Sequence, residues 1–165
     1  MALDMLVKFD GDKVKGESAI KDFKDAIDIL AWSWGASQSG TMHHATGGGA
    51  GKANVQDLSF TKHQDIASVG LLQCCLVGEH FNKVTLSMRK AGGKDNAGFV
   101  FYTIEMEKVI VTSYSTGGSG GEDRLTENVT LNFAKVKVEY KSQDDKGKAG
   151  PSGKTTFDIA KGVLA

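Results

Sequence analysis

The sequence has one proline, two cysteines and no apolar run long enough to span a bilayer, and each shortage removes a class of protein. A membrane helix needs roughly 18 or more consecutive apolar residues, and no segment approaches that. Cys74 and Cys75 are adjacent, and the ring that neighbouring cysteines would close is strained. This is therefore no disulfide framework, and a reducing compartment is expected. Charge of one sign is also missing. Twenty Lys and Arg balance twenty Asp and Glu, without the basic face that a nucleic-acid partner would demand. The opening residues MALDMLVKFDG lack the basic segment, long apolar run and cleavage site of a signal peptide. The expectation is a soluble chain made in the cytoplasm, with no membrane insertion and no nucleic-acid partner.

What the sequence does have is glycine, 21 residues of it against the single proline, together with many β-branched residues. That pairing points to long strands joined by adaptable loops. The 165 residues predict a single domain over 1–165, large enough to bury roughly two thirds of its unfolded surface.

Residues 116–140 (TGGSGGEDRLTENVTLNFAKVKVEY) are the most informative stretch. Gly117, Gly118, Gly120 and Gly121 mark a loop that must bend or lie close to another backbone. A strand then reads Leu125, Glu127, Val129, Leu131 and Phe133 on one face. Its apolar phase slips by one residue to Ala134, Val136, Val138 and Tyr140. Such a slip turns later side chains to the other face unless a bulge absorbs it. It suits a sheet that leaves its own core to serve a second surface, such as a neighbouring subunit.

Elsewhere, Leu3, Met5, Val7 and Phe9 alternate as a first strand, and 26–38 reads as a second. In that second strand Leu30, Trp32 and Trp34 point inward, while Ile29, Ala31, Ser33, Gly35 and Ser37 form an outer face that becomes small and polar. Residues 39–52 (SGTMHHATGGGAGK) form a long loop, of the kind that is usually functional. A strand follows at 54–60. Thr61 with Gln64 then matches a capping box that opens a helix running to Leu76 or Val77. That helix places Val69, Leu72 and Leu76 on its packed face and stops at Gly78. Further strands are expected at 81–90, with Val84, Leu86 and Met88 inward, at 98–114 with a bend near Lys108, and at 155–160; a turn covers 91–96. The fold class is mainly β: a compact β-barrel or sandwich of about seven to nine strands with one α-helix packed on its side.

Four local patterns invite chemistry, and blander readings are preferred for three of them. Gly117-Gly118-Ser119-Gly120-Gly121 fits G-x-S-x-G, but a nucleophile elbow sits between a strand and a helix, and here a strand follows. The 47–52 stretch approaches a phosphate loop, yet Thr46 and Ala53 break the pattern and no helix follows Lys52. His43-His44 and Cys74-Cys75 are adjacent pairs whose side chains diverge, unlike zinc ligands spaced two to four apart. The charge cluster Glu122, Asp123, Arg124 and Glu127 is open between two readings: a solvated loop end, or a contact between subunits where charge fixes register. No catalytic residue, metal or cofactor is predicted.

The segments 28–40 (DILAWSWGASQSG), 51–62 (GKANVQDLSFTK), 83–93 (KVTLSMRKAGG) and 115–133 (STGGSGGEDRLTENVTLNF), with the first strand and Gly16-Glu17-Ser18, resemble the Hcp family. These are the haemolysin-coregulated proteins of the bacterial type VI secretion system, and the likeness spans nearly the whole chain. The resemblance implies a β-barrel protomer with one side helix, a homohexameric ring with a wide pore, and rings stacked into a tube propelled by a contracting sheath. It implies sheath and spike components as partners and small effector proteins carried in the pore. It also implies cytoplasmic synthesis followed by export through the secretion machine. On that basis Ala31, Ser33 and Ser37 are expected to line the pore. Gly47, Gly48, Gly49, Ser115, Thr116, Gly117, Gly118, Ser119, Gly120, Gly121, Glu122, Asp123 and Arg124 are expected to join subunits or rings. The competing expectation is a ring-shaped effector chaperone or adaptor that never polymerises; a hydrolase using Ser119 or a nucleotide-binding enzyme using Lys52 stands further off.

Overall fold

Period-two alternation of apolar residues builds the centre of the molecule. The computed structural model describes residues 3–43, 49, 51–90 and 98–165. Among these the elements run β1 (Leu3–Phe9), β2 (Ile27–Asp28), β3 (Ala31–Ser33), β4 (Ala36–Gln38), β5 (Ala53–Val55), β6 (Leu58–His63), α1 (Ala67–Val77), β7 (His80–Lys90), β8 (Phe99–Gly117), β9 (Thr126–Gln143), β10 (Ala149–Asp158) and β11 (Val163–Leu164). An antiparallel sheet is ordered β11-β10-β9-β8-β7-β1-β2, and β6 adds to the first half of β9 and carries β3 on its other edge. The fold is sandwich-like with one helix. It does not close into a barrel, and it has eleven strands among the described residues where seven to nine were expected.

The strands whose alternation was strict form as read. Val7, Phe9, Val84, Leu86 and Met88 are buried on β1 and β7. A fully buried Val, Leu or Phe contributes roughly 1.5–3 kcal/mol, so this ladder is a principal source of stability.

The phase slip near residue 134 is also real, but Val136 and Val138 beyond it stay with the same core, while Tyr140 is half exposed. On β9 the buried residues are Val129, Leu131, Phe133 and then Val136; on β8 they are Ile104, Met106 and then Val109, Val111. Both strands slip at the same rung, between the pairs Glu107–Lys135 and Val109–Phe133. Lys108, at that rung, has φ 54°, a left-handed conformation costing a non-glycine residue roughly 1–2 kcal/mol. The bend lets the two strands turn together, so residues before and after it share a single core.

Five expectations are corrected, the simplest being the strand at 54–60, which divides into β5 and β6. The strand over 26–38 is broken into β2, β3 and β4, because the chain changes partners. Ile29 N–H donates to Met5 C=O (3.0 Å) on β1, and Leu30 N–H donates to Thr61 C=O (2.7 Å) on β6. Alternation restarts at that corner, leaving Ile29 buried and Leu30 outside at 46% exposure. The tryptophans do turn inward: Trp32 stacks on Tyr102 (centroids 5.9 Å apart), and Trp34 Nε1 donates to Gln56 C=O (2.9 Å).

The capping box does not form either, since Thr61 belongs to β6. The helix begins at Ala67, whose N–H donates to Asp65 Oδ1 (2.9 Å), and ends as expected at Gly78, φ 66°. Its packed face is Ala67, Ser68, Leu71 and Cys74, while Val69, Leu72 and Leu76 face outward. A helix without a charged residue offers no polar side to mark which face is inward. Last, the final strand is β10 over Ala149–Asp158, longer than 155–160, and β11 follows it. Pro151 is tolerated there at a register irregularity between Ala149 and Ser152. The turn expected at 91–96 lies outside the described residues.

Candidate assembly surfaces

Cross-strand registration gathers small uncharged residues onto one sheet face. Ala31 pairs with Thr61, Thr61 with Asn128, and Asn128 with Ser115. One rung on, Ser33 pairs with Ser59, Ser59 with Thr130, and Thr130 with Ser113. Directly paired residues share a face, so two rungs across β3, β6, β9 and β8 present alanine, hydroxyls and one amide. Hydrogen bonds hold the side chains flat: Thr61 Oγ1 donates to Asn128 Oδ1 (2.6 Å), and Ser59 Oγ lies 3.0 Å from Thr130 Oγ1. The alternate residues Trp32, Phe60, Val129 and Tyr114 turn to the opposite side, into or against the core.

Ala31 and Ser33 are thus brought together, and Ser115 joins them at the end of β8 instead of lying in a loop. Ser37 sits apart, opposite Asn54 on a separate two-stranded ribbon of β4 and β5. Sequence reasoning missed Ser59, Thr61, Ser113, Asn128 and Thr130, which belong to the same face. Their signal was the outward phase of strands whose inward phase had been recognised.

The ribbon continues beyond β4 and β5. Ser39 Oγ accepts from Lys52 N–H (3.0 Å), and Thr41 bridges to Gly49. Every described residue from 36 to 54 is exposed. At Gly51 a Cβ would stand 2.3 Å from Ser39 Oγ and 2.6 Å from Gly40 N, so the two ribbon strands meet there only through glycine. Gly49 lies on this ribbon; Gly47 and Gly48 lie outside the described residues, as does His44. Lys52 is followed by β5, which agrees with setting aside a phosphate loop.

The glycine loop is shorter than expected, because β8 carries Ser115, Thr116 and Gly117 as strand residues. Gly118, Ser119, Gly120, Gly121, Glu122, Asp123 and Arg124 form the exposed connection, closed by Glu122 N–H donating to Ser119 C=O (3.2 Å). Glu127 does not belong with these charges, for it is entirely buried.

Around Glu127 lies an ionic cluster that the sequence reading left unassembled. Lys62 and Glu127 are both 0% exposed and ion-paired. Lys62 Nζ also lies 2.8 Å from Asp65 Oδ1, and donates to Ser68 Oγ (3.1 Å) and His63 C=O (3.0 Å). Ser68 Oγ donates to Glu127 Oε1 (2.7 Å), and Tyr114 Oη donates to Glu127 Oε2. Burial, then the hydrogen bond to Glu127 and its charge, push the Tyr114 phenol up to about 12. The cluster sits at the N-terminus of α1, whose free N–H groups favour the surplus negative charge of Asp65.

Outside, α1 shows Ile66, Val69, Leu72, Leu76 and Val77 to solvent, Val69 and Leu76 at 76% and 77% exposure. On its packed side Cys74 is 5% exposed, and burial raises its thiol pKa, the opposite of an activated thiolate.

The antiparallel sandwich thus carries a bare ribbon, an exposed apolar helix face and an uncharged small-residue face. The family model described as Type VI secretion system effector, Hcp, matches residues 6–140. The chain is 53% identical to Protein hcp1 of Pseudomonas aeruginosa (strain PAO1) over 100% of both chains. A solved structure of a type six secretion system protein superimposes with a TM-score of 0.89 at 34% identity, covering 99% of this chain and 100% of that one. Hcp1 from Salmonella typhimurium superimposes with a TM-score of 0.78 at 29% identity, covering 100% of each. The chain belongs to the Hcp family of type VI secretion proteins. No helix among its described residues is long and apolar enough to cross a membrane.

Proposed function

We propose that this chain is the tube-building protein of a type VI secretion system. Copies close head to tail into a six-membered ring, rings stack into a tube inside a contractile sheath, and small effector proteins ride in the pore. The observation that carries the reading is the 36–55 ribbon: a two-stranded ladder with all its described side chains from 36 to 54 in solvent has no core of its own. An isolated pair of strands is marginal in water, so its natural support is another subunit. Head-to-tail contacts can close a ring and stack it, which two-fold contacts cannot.

The uncharged rungs of Ala31, Thr61, Asn128 and Ser115, and of Ser33, Ser59, Thr130 and Ser113, suit the pore wall. Short hydroxyl side chains leave a smooth lining that can hydrogen-bond varied cargo without imposing a charge. The apolar helix face and the 118–124 loop supply further contact surface between subunits, rings or sheath.

The test is the mass of the native particle. Six chains of 17.5 kDa in one species, seen as annular particles, are expected; a chain that stays single at high concentration would overturn the reading. Tubes formed after sheath contraction separate a tube subunit from a ring-shaped carrier that never stacks.

A further inference from the structure

The β8–β9 ladder changes register by one residue just before the glycine loop. Up to Val111–Leu131 the pairs keep one register; from Ser113–Thr130 onward β8 has one residue more, and Thr112 is the extra residue of a bulge. Everything beyond, from Ser113 to Gly117 and from Thr126 to Thr130, must stay in the shifted register for the loop to begin where it does. On the outer side Thr112 Oγ1 donates to Thr130 C=O and to Asp57 Oδ2 (3.2 Å each), which holds the bulge itself, but the paired residues beyond it add little. Ser113, Ser115, Asn128 and Thr130 are small and polar, and flat polar strands specify register weakly.

The inward residues of the same five rungs are Tyr114, Val129, Thr116 and Glu127; Val129 joins the apolar core, and Tyr114 and Glu127 belong to the buried cluster. Tyr114 from β8, Glu127 from β9, Lys62 from β6, and Asp65 and Ser68 from the start of α1 meet at one point. Lys62 and Glu127 are wholly buried. Such a pair adds little stability over well-packed apolar residues, yet it tolerates few arrangements, because any other leaves a buried charge unmatched. Sliding β8 back by one residue would withdraw the Tyr114 hydroxyl from Glu127 and abolish the bulge. Next to the cluster, Gln64 N–H donates to Leu125 C=O (2.9 Å) and Gln64 Nε2 to Thr116 Oγ1 (3.1 Å), so the β6–α1 junction grips both stems of the loop.

We infer that the Lys62–Glu127–Tyr114 cluster is a register lock: it selects the bulged pairing of the last β8–β9 rungs and so sets the length and direction of the 118–124 loop. Its consequence for assembly rests on the reading that this loop joins subunits; the lock itself does not.

Register is read by a disulfide between Ser115→Cys and Asn128→Cys, residues opposed only in the bulged pairing. The cross-link is formed in the otherwise unaltered chain and in the same chain carrying Lys62→Met, Glu127→Leu and Tyr114→Phe, an apolar cluster of similar volume. The lock predicts a folded triple variant whose cross-linking falls at least about fivefold and whose 115–117 and 125–127 amides exchange at least about tenfold faster, with β7 unchanged. Equal cross-linking and exchange in the two backgrounds would overturn it. Should the triple variant fail to fold, Tyr114→Phe alone decides: it keeps the ion pair but removes the hydroxyl that ties β8 to it, so reduced cross-linking supports the lock and unchanged cross-linking refutes it. Native mass, measured alongside on the chains without the paired cysteines, keeps the two ideas apart. A slipped register with the ring intact defeats the loop as a joint and leaves the lock standing; an unslipped register with the ring lost defeats the lock alone.

Discussion

The β7–β8–β9 sheet and the 36–55 ribbon are both antiparallel ladders with glycine near their turns, and they dispose of their side chains in opposite ways. In the sheet every second residue enters a shared core, so Val84, Leu86, Ile104, Met106, Val129 and Leu131 are essentially inaccessible. In the ribbon both faces are in water from residue 36 to 54, wherever the chain is described. Backbone hydrogen bonds are equally available to the two, which teaches that the ladder alone does not account for a strand pair: side-chain burial does. The sheet finds its burial within one chain, and the ribbon has to find it elsewhere. Substitutions in the sheet should therefore be felt in the stability of the protomer, and substitutions in the ribbon in its assembly.

The largest effect is expected at the loop end of the sheet, inside the buried cluster. Glu127→Ala strips the buried Lys62 ammonium and the Tyr114 hydroxyl of their shared partner. A buried ion pair broken from one side costs about 3–5 kcal/mol, readable as a lower urea midpoint. A loss near zero would mean that the pair is not isolated from water.

Tyr114→Phe comes next, at about 1–3 kcal/mol, the cost of leaving one buried carboxylate oxygen without its donor. It carries a pH signature as well. Burial first, and Glu127 second, push the phenol from 10.0 up to about 12 in the folded chain. The fold therefore favours the neutral phenol, and its contribution is complete below pH 10 and lost as pH rises through about 12. The parent protein should lose stability across that window, and the phenylalanine variant should show a flatter profile there.

The same contrast decides what the sequence discloses. Where apolar residues alternate into the core, as Val84, Leu86 and Met88 do, the inward face is legible from the residues; on β1 Val7 and Phe9 follow the rule, but Leu6 is buried on the other face and Leu3 is half exposed. Single-residue signals are legible too, such as the bend at Lys108 and the stop at Gly78. The helix face was not, because ASVGLLQCCLV carries no charge and one of its two polar residues, Ser68, is buried. The corner at Ile29 and Leu30 depends on a change of strand partner that alternation cannot announce. The ionic cluster was half legible: Glu127 stands in phase with Val129 and Leu131, and Lys62 in phase with Leu58 and Phe60. Opposite charges on two inward phases were its signal; their adjacency depends on β6 pairing with β9. Of the site residues, Ala31 and Ser33 were legible as an outer face, while the five other residues beside them required the register.

Gly51→Ala tests the ribbon. The new Cβ would fall on Ser39 Oγ and Gly40 N, so the two ribbon strands must separate. Because every described ribbon residue from 36 to 54 is exposed and Val55 at its base packs on the core away from Gly51, the urea midpoint should correspond to a change within about 0.5 kcal/mol. Native mass should instead move from the ring toward the single chain. A large loss of protomer stability with the ring intact would reverse the comparison and make the ribbon part of the body.

Ser33→Glu should leave both quantities alone and still be informative. Ser33 is exposed and pairs with Ser59 in the rung that runs on to Thr130 and Ser113. A glutamate there fits the backbone, reaches solvent and should change stability by no more than about 0.5 kcal/mol. In a six-membered ring the substitution places six carboxylates around the pore, a like-charge belt in a wall that is otherwise uncharged along these rungs. Co-purification of cargo with the ring should fall while the native mass stays constant, and the loss should be partly relieved at high salt, where exposed charges are screened. Cargo retained at every salt concentration would remove this face from the pore, and a ring that falls apart would make it a joint between subunits.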